Sequence, residues 1–261
     1  MGFLISLKFL TILPLPWHRE ASPREIGQAV VYFPVVGLLL GFILVGLDKL
    51  FGLALPLSVA NVLLIIFAIV LTGALHLDGF IDTCDGALVR SSPQERLRIM
   101  SDSHVGSFGV IGAVCLILLR YVALGTVPEH LRSSALVIMP MLGRWTMVYA
   151  IGAFPYAREQ GTGRVFKDQA SRQRVAIATV AAVVLSALLA GWSGLSLMAA
   201  VWLIILGIAW FLRLRLGGLS GDTYGAINEL SEILALILLP LLADAVTTHF
   251  VGPWHIFDFH L

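Results

Sequence analysis

From Ile26 to Leu47 the chain runs without one charged side chain, and it does so again from Leu50 to Leu75. A bilayer core takes about 20 mostly apolar residues per crossing. Inside it every backbone N–H and C=O must be satisfied within the segment, which favours the helix. Further runs follow from Val105 to about Gly125, with Arg120 near the end, and from Ser133 to Tyr156, with Arg144 in mid-run. Val175 to Leu212 is too long for one crossing, and Gly191-Trp192-Ser193-Gly194 divides it. A last run extends from about Ile227 to Thr248. With the second run starting near Leu57 after Pro56, the pattern predicts an all-α polytopic membrane protein of about seven transmembrane helices. One domain over 1–261 is expected. Composition agrees: 13% charged residues, against about 25% in soluble proteins, and 58% hydrophobic ones exclude a soluble enzyme and a disordered chain alike.

Positive charges orient the chain. With a cytoplasmic N-terminus, the cytoplasmic segments hold Lys8, Arg19, Arg24, Arg90, Arg96, Arg98, Arg158, Arg164, Lys167, Arg172, Arg174, Arg213 and Arg215. Only Lys49 and Arg132 fall on the other side, as the positive-inside rule requires. Arg120 is expected to snorkel to the outer interface. Arg144, in mid-span, needs a carboxylate or phosphate partner. Before the first span, the apolar segment closed by the turn Pro14-Leu15-Pro16-Trp17 reads as interfacial, and an aromatic tail from Phe250 to Leu261 closes the chain.

A net charge of +1 gives no basic footprint for nucleic acid. Two cysteines, Cys84 and Cys115, make neither a disulfide framework nor a Cys-rich metal site. Chemistry is expected elsewhere, in three polar clusters that the topology places on one side of the membrane.

The first is His76-Leu77-Asp78-Gly79-Phe80-Ile81-Asp82-Thr83-Cys84-Asp85-Gly86. Asp78, Asp82 and Asp85 are spaced i, i+4, i+7, which stacks three carboxylates on one helix face. Three like charges repel, and a divalent cation offsets them economically. Oxygen ligands favour Mg²⁺ or Mn²⁺ over zinc. Spacing of this kind is also found in membrane enzymes that transfer groups from pyrophosphate-linked substrates.

The second cluster is Met100-Ser101-Asp102-Ser103-His104-Val105-Gly106. Its serines suit a helix cap; alternatively Asp102 is a further metal ligand and His104 a phosphate contact. Arg96 and Arg98 upstream suit anionic oxygens. The third is Gly217-Gly218-Leu219-Ser220-Gly221-Asp222-Thr223-Tyr224-Gly225-Ala226, followed by Glu229 and Glu232. Gly221 and Thr223 open a helix whose N-terminus favours phosphate. Asp222 is a cap or a metal ligand, and Glu229 with Glu232 would complete a second metal site. Arg144, Arg158 and Arg164 are candidates for phosphate contact; the basic loop that holds the last two also suits lipid head groups.

Taken together, the run His76 to Gly86, Asp102-Ser103-His104-Val105-Gly106 and Gly221-Asp222-Thr223-Tyr224-Gly225-Ala226 closely resemble the cobalamin synthase (adenosylcobinamide-GDP ribazoletransferase) family. Phe9-Leu10-Thr11, Leu13-Pro14-Leu15-Pro16, Phe33-Pro34-Val35-Val36-Gly37 and Tyr156-Ala157-Arg158-Glu159 extend the resemblance in order along nearly the whole chain. One departure is His104, where the family pattern suggests an arginine.

The resemblance implies a Mg²⁺-dependent enzyme of the cell inner membrane, its active site facing the cytoplasm. Such enzymes join adenosylcobinamide-GDP to α-ribazole or its 5′-phosphate and release GMP. Asp78, Asp82 and Asp85 would then hold metal on the pyrophosphate, with Asp102, Asp222, Glu229 and Glu232 as further ligands. His76, Asp82 or Asp85 would serve the reacting hydroxyl as base. Partners are these small molecules and membrane lipid; the oligomeric state stays open, a homo-oligomer included. Two other classes compete. A CDP-alcohol-type phosphotransferase shares membrane helices and paired acids, but its Ala-Arg pair is missing here. A metabolite transporter would explain intramembrane charge, yet needs no gathering of acids on one side.

Overall fold

A computed structural model describes residues 1–14 and 21–247, with side chains described to Ala243. The expected turn residues Leu15 to Trp17, Arg19 and the aromatic tail lie outside the described residues. The order is α1 (Gly2–Leu10), α2 (Pro23–Gln28), α3 (Phe33–Gly52), α4 (Leu57–Leu71), α5 (Leu75–Leu88) and α6 (Pro93–Ile99). Then come α7 (Ser107–Thr126), α8 (Glu129–Ala153), α9 (Thr162–Gln169), α10 (Arg172–Leu216) and α11 (Gly221–Thr247). The described residues form no named strand; one isolated parallel bridge joins Tyr156 to Leu219.

Five helices are long and apolar enough to cross a membrane, and the bent pair α4–α5 makes six. The longest of them, α10, is itself a hairpin. Ala190 and Gly191 leave helical geometry there, Gly191 at φ 55°. The Ser186 hydroxyl reaches the Met198 sulfur at 3.7 Å. Twelve residues of straight helix would hold them about 18 Å apart. The break falls where Gly191-Trp192-Ser193-Gly194 predicted one. The five or six candidate spans stand beside the about seven expected, and the difference lies in whether α10 is counted as one span or as two arms.

α8 is the central helix, with 89% of its most apolar window buried, whereas α7 buries only 28% and turns Val110, Ile111, Val114 and Leu118 outward. That outward face is the surface a lipid would cover. α1 forms as the short apolar element expected. It docks on the start of the first span through the Ser6 hydroxyl, which donates to the Ala29 carbonyl at 2.6 Å, while Lys8 stays exposed.

Two features set the site. After α4 the chain takes left-handed conformation at Gly73 and Ala74, and α5 leaves at 90°. α5 therefore lies across the bundle end and against the start of α11. There Gly79 and Gly225 let backbones meet: a Cβ on Gly79 would stand 2.7 Å from the Asp222 carbonyl oxygen, and one on Gly225 2.9 Å from that of His76. The other feature is a short zipper. Leu219 N–H donates to the Pro155 carbonyl and Ala157 N–H to the Leu219 carbonyl, both at 2.8 Å, which binds the loop after α8 to the loop before α11.

The opposite end is clamped differently. Arg132 of α8 donates to Asp48 of α3 at 2.7 to 3.0 Å, to Asn61 of α4 at 2.6 Å and to the Leu124 carbonyl of α7 at 3.1 Å. All three side chains are buried. The sequence placed Arg132 in an outer loop; it is instead the tie between four helices.

Candidate active site

The glycine contact and the zipper together bring one part of each of two acidic motifs to a loop arginine. Asp222, in the first turn of α11, accepts from Arg158 at 2.7 Å and from the Ser220 hydroxyl at 3.3 Å. Asp78 and Asp82 of α5 lie within electrostatic range of Asp222, so that three carboxylates act on one another beside a single guanidinium. Arg158 keeps its Nε buried and without a partner among the described residues. The cluster is short of positive charge and has a donor to spare.

It opens on a cavity of about 320 Å³, walled on this side by Asp78, Asp222, Arg158 and His76. His76 is buried, and its Nε2 has no partner among the described residues. Gly221 lines the cavity too, as expected of a position where backbone meets ligand. Tyr156 and Tyr224 cover the floor with ring centroids 6.2 Å apart. Burial pushes the Tyr156 phenol up, so it stays protonated. Neither tyrosine stood out as a site residue in the sequence; the signal available was their position inside the third cluster and the segment before Arg158.

The structure takes several candidates elsewhere. Asp85 acts on Asp82 electrostatically but does not line the cavity with Asp78. Both its oxygens are occupied at 2.8 Å by the backbone N–H groups of Gly106 and Gly109. It is a buried cap from α5 onto the start of α7, where a carboxylate complements the helix dipole. Thr223 is fully buried in the turn that starts α11, its hydroxyl bonded to Ser220 backbone groups at 2.8 and 2.9 Å.

Glu229 and Glu232 correct the expectation of a second metal site. Arg120 donates to both at 2.8 Å. Arg144 donates to Glu232, which also accepts from Asn228 at 3.1 Å. Two arginines and two glutamates form a buried group with balanced formal charges. A divalent cation there would add charge that nothing offsets. Arg120 therefore does not snorkel; it points inward and is 4% exposed. Arg144 has the carboxylate partner its position demanded, and so is not a free phosphate contact.

The remaining basic candidates are also engaged. Arg96 donates to the carbonyls of Val89 at 3.1 Å and Arg215 at 2.7 Å. Arg215 in turn caps α5 through the Ala87 carbonyl at 3.0 Å. Arg98 pairs with Glu95 at 2.7 Å, and Arg164 with Asp168 at 2.9 Å, both on exposed faces. His104 and Asp102 form an exposed pair at 2.7 Å. The backbone N–H of His104 holds the Asp102 carboxyl below the usual range. Among the described residues no three His, Cys, Asp or Glu side chains form a group able to hold a metal ion unaided.

Fold and site define a class: a polytopic helical membrane protein with an open polar cavity that combines excess carboxylates with an arginine. The chain matches the model of the cobalamin-5-phosphate synthase family over residues 2–240 and belongs to that family. A relative from Geotalea daltonii, an adenosylcobinamide-GDP ribazoletransferase, is 40% identical over 91% of this chain and 96% of its own length. A ribazoletransferase of the same name from Roseiflexus sp. is 40% identical over 91% and 88%. One from Pseudomonas syringae pv. syringae is 35% identical over 93% and 100%. No solved structure matches the chain.

Proposed function

We propose that this chain is an adenosylcobinamide-GDP ribazoletransferase, joining adenosylcobinamide-GDP to α-ribazole or its 5′-phosphate with release of GMP. The observation that carries the reading is the meeting of Asp78 and Asp222 with Arg158 on one cavity, with Asp82 in electrostatic range, within a chain related over nine-tenths of its length to enzymes of that name. The ribazole hydroxyl oxygen forms a bond to the phosphorus nearest the cobinamide. The bond from that phosphorus to the bridging oxygen breaks, and GMP leaves with the electron pair.

Positioning and charge neutralisation carry most of such a transfer. Arg158, partly exposed in the cavity wall, faces the pyrophosphate and stabilises charge on its oxygens. His76, its Nε2 unpartnered in the cavity wall, takes the hydroxyl proton. Gly221 admits a phosphate to the backbone N–H groups that begin α11.

The donor set fits Mg²⁺: hard carboxylate oxygens too few to enclose an ion, as in sites that share Mg²⁺ with substrate phosphates. Asp78, Asp82 and Asp222 would hold it. Bound there, Mg²⁺ supplies neutralisation of pyrophosphate charge. The end of the bundle that carries the site also carries the basic loops, which supports a cytoplasm-facing site in the inner membrane.

Purified protein in detergent, given adenosylcobinamide-GDP, α-ribazole and Mg²⁺, should release one GMP for each cobalamin formed. Cobalamin-free turnover of a CDP-alcohol, or substrate flux without GMP, would replace this reading with one of its two competitors.

A further inference from the structure

The cavity has two unlike walls. Besides Asp78, Asp222 and Arg158, apolar side chains from four helices line it: Phe9 of α1, Phe33 of α3, Met147 and Ile151 of α8, and Phe166 of α9. The three phenylalanines form one aromatic unit. Phe166 packs on Phe9 at 4.7 Å and edge-on to Phe33 at 5.3 Å, and Phe9 stacks on Phe33 at 6.0 Å. Phe9 is partly uncovered, while Phe33 and Phe166 are held rigid by burial. Phosphoryl transfer by itself asks for no aromatic wall. A cavity of about 320 Å³ also sits at the small end of ligand pockets. A cavity on that scale suits a nucleoside better than a corrinoid macrocycle.

We infer that Phe9, Phe33 and Phe166 form the subsite for the planar aromatic base of the acceptor nucleoside, holding its hydroxyl toward the Asp78–Asp222–Arg158 wall while the corrinoid stays at the cavity mouth. The assignment rests on the proposed transferase activity and adds to it which substrate enters and which residues select it. The base slides against the exposed ring of Phe9, with Met147 and Ile151 flanking it. Offset or edge-to-face contact of this kind favours flat apolar bases over polar ones. The phenylalanines are thus specificity residues, acting on binding of the acceptor and not on the transfer.

The test measures binding of α-ribazole and of inorganic pyrophosphate, by equilibrium dialysis, to the full chain in detergent. Wild type, Phe9→Leu, Phe166→Leu and Arg158→Gln are compared. Both leucine variants should bind α-ribazole roughly three- to tenfold more weakly and pyrophosphate as wild type does. Arg158→Gln should show the reverse. If Phe166→Leu loses pyrophosphate as well, its fold is disturbed and Phe9→Leu decides. Unchanged α-ribazole binding in Phe9→Leu, or none to wild type, overturns the subsite. GMP release is scored separately: wild type that binds α-ribazole but releases no GMP sinks the activity and leaves the aromatic subsite standing. GMP release with an unchanged KM for α-ribazole in Phe9→Leu does the opposite.

Discussion

The two ends of this helix bundle treat charge in opposite ways. At one end Arg132 meets Asp48, Asn61 and the Leu124 carbonyl, and every partner is within hydrogen-bond distance. At the other, Asp78, Asp82 and Asp222 share one arginine whose Nε is unused. Between them the Arg120–Arg144–Glu229–Glu232 group is like the first end in that its formal charges balance, although the Nε atoms of Arg120 and Arg144 find no partner among the described residues. Charge in a membrane protein is costly wherever it is buried. Where partners close around it, the return is a held structure. Where acids are gathered without enough partners, stability is given up for binding something that arrives later.

The sharpest way to break the comparison is to remove a partner at the closed end. Arg132→Leu leaves Asp48 buried and unpaired, and should cost about 3–5 kcal/mol, read as a large fall in melting temperature in detergent. Little loss would show that the clamp is not structural. At the open end the effect should move to turnover. Asp222→Asn is expected to lower GMP release roughly 10²–10³-fold with a much smaller fall in melting temperature than Arg132→Leu, since the amide keeps an oxygen that can accept from Arg158 in a pair that is still partly exposed.

Gly79→Ala probes the contact that assembles the open end. Its Cβ would meet the Asp222 carbonyl oxygen at 2.7 Å, forcing α5 and α11 apart. Misplacement of about 1 Å costs on the order of 10²-fold in rate, and the purified variant should show that loss with only a moderate fall in stability. The smallest effect belongs to His104→Ala. The His104–Asp102 pair is exposed and outside the cavity, so both GMP release and stability should stay within about 0.5 kcal/mol of wild type. A large loss of activity would bring the second cluster back into the site.

How much of this was legible in the chain differs from residue to residue. The spans were, because uncharged runs admit few other folds, and so was the α10 hairpin, because Gly191 interrupts a run too long for one crossing. Asp78 and Asp222 were legible as acids beside glycines. What could not be read was orientation around each helix. Arg120 looked free to snorkel because its partners, Glu229 and Glu232, lie 109 and 112 residues away. For the same reason those glutamates looked like metal ligands. The i, i+4, i+7 spacing put Asp85 on one face with Asp78 and Asp82, but α7 begins beside it and claims both its oxygens. The direction of α5 depends on left-handed turns at Gly73 and Ala74, and an alanine gives no warning of one.

Asp82 tests the central claim most directly, because among the described residues no ion pair holds it, and Asp222 and Asp78 repel it. GMP release and melting temperature should be measured on wild type and Asp82→Asn, with Mg²⁺ and with EDTA. The account predicts that Asp82→Asn melts at or above the wild-type temperature, while its GMP release falls to the level that wild type shows in EDTA. An Asp82→Asn variant that turns over like wild type, or a wild type indifferent to EDTA, would contradict it.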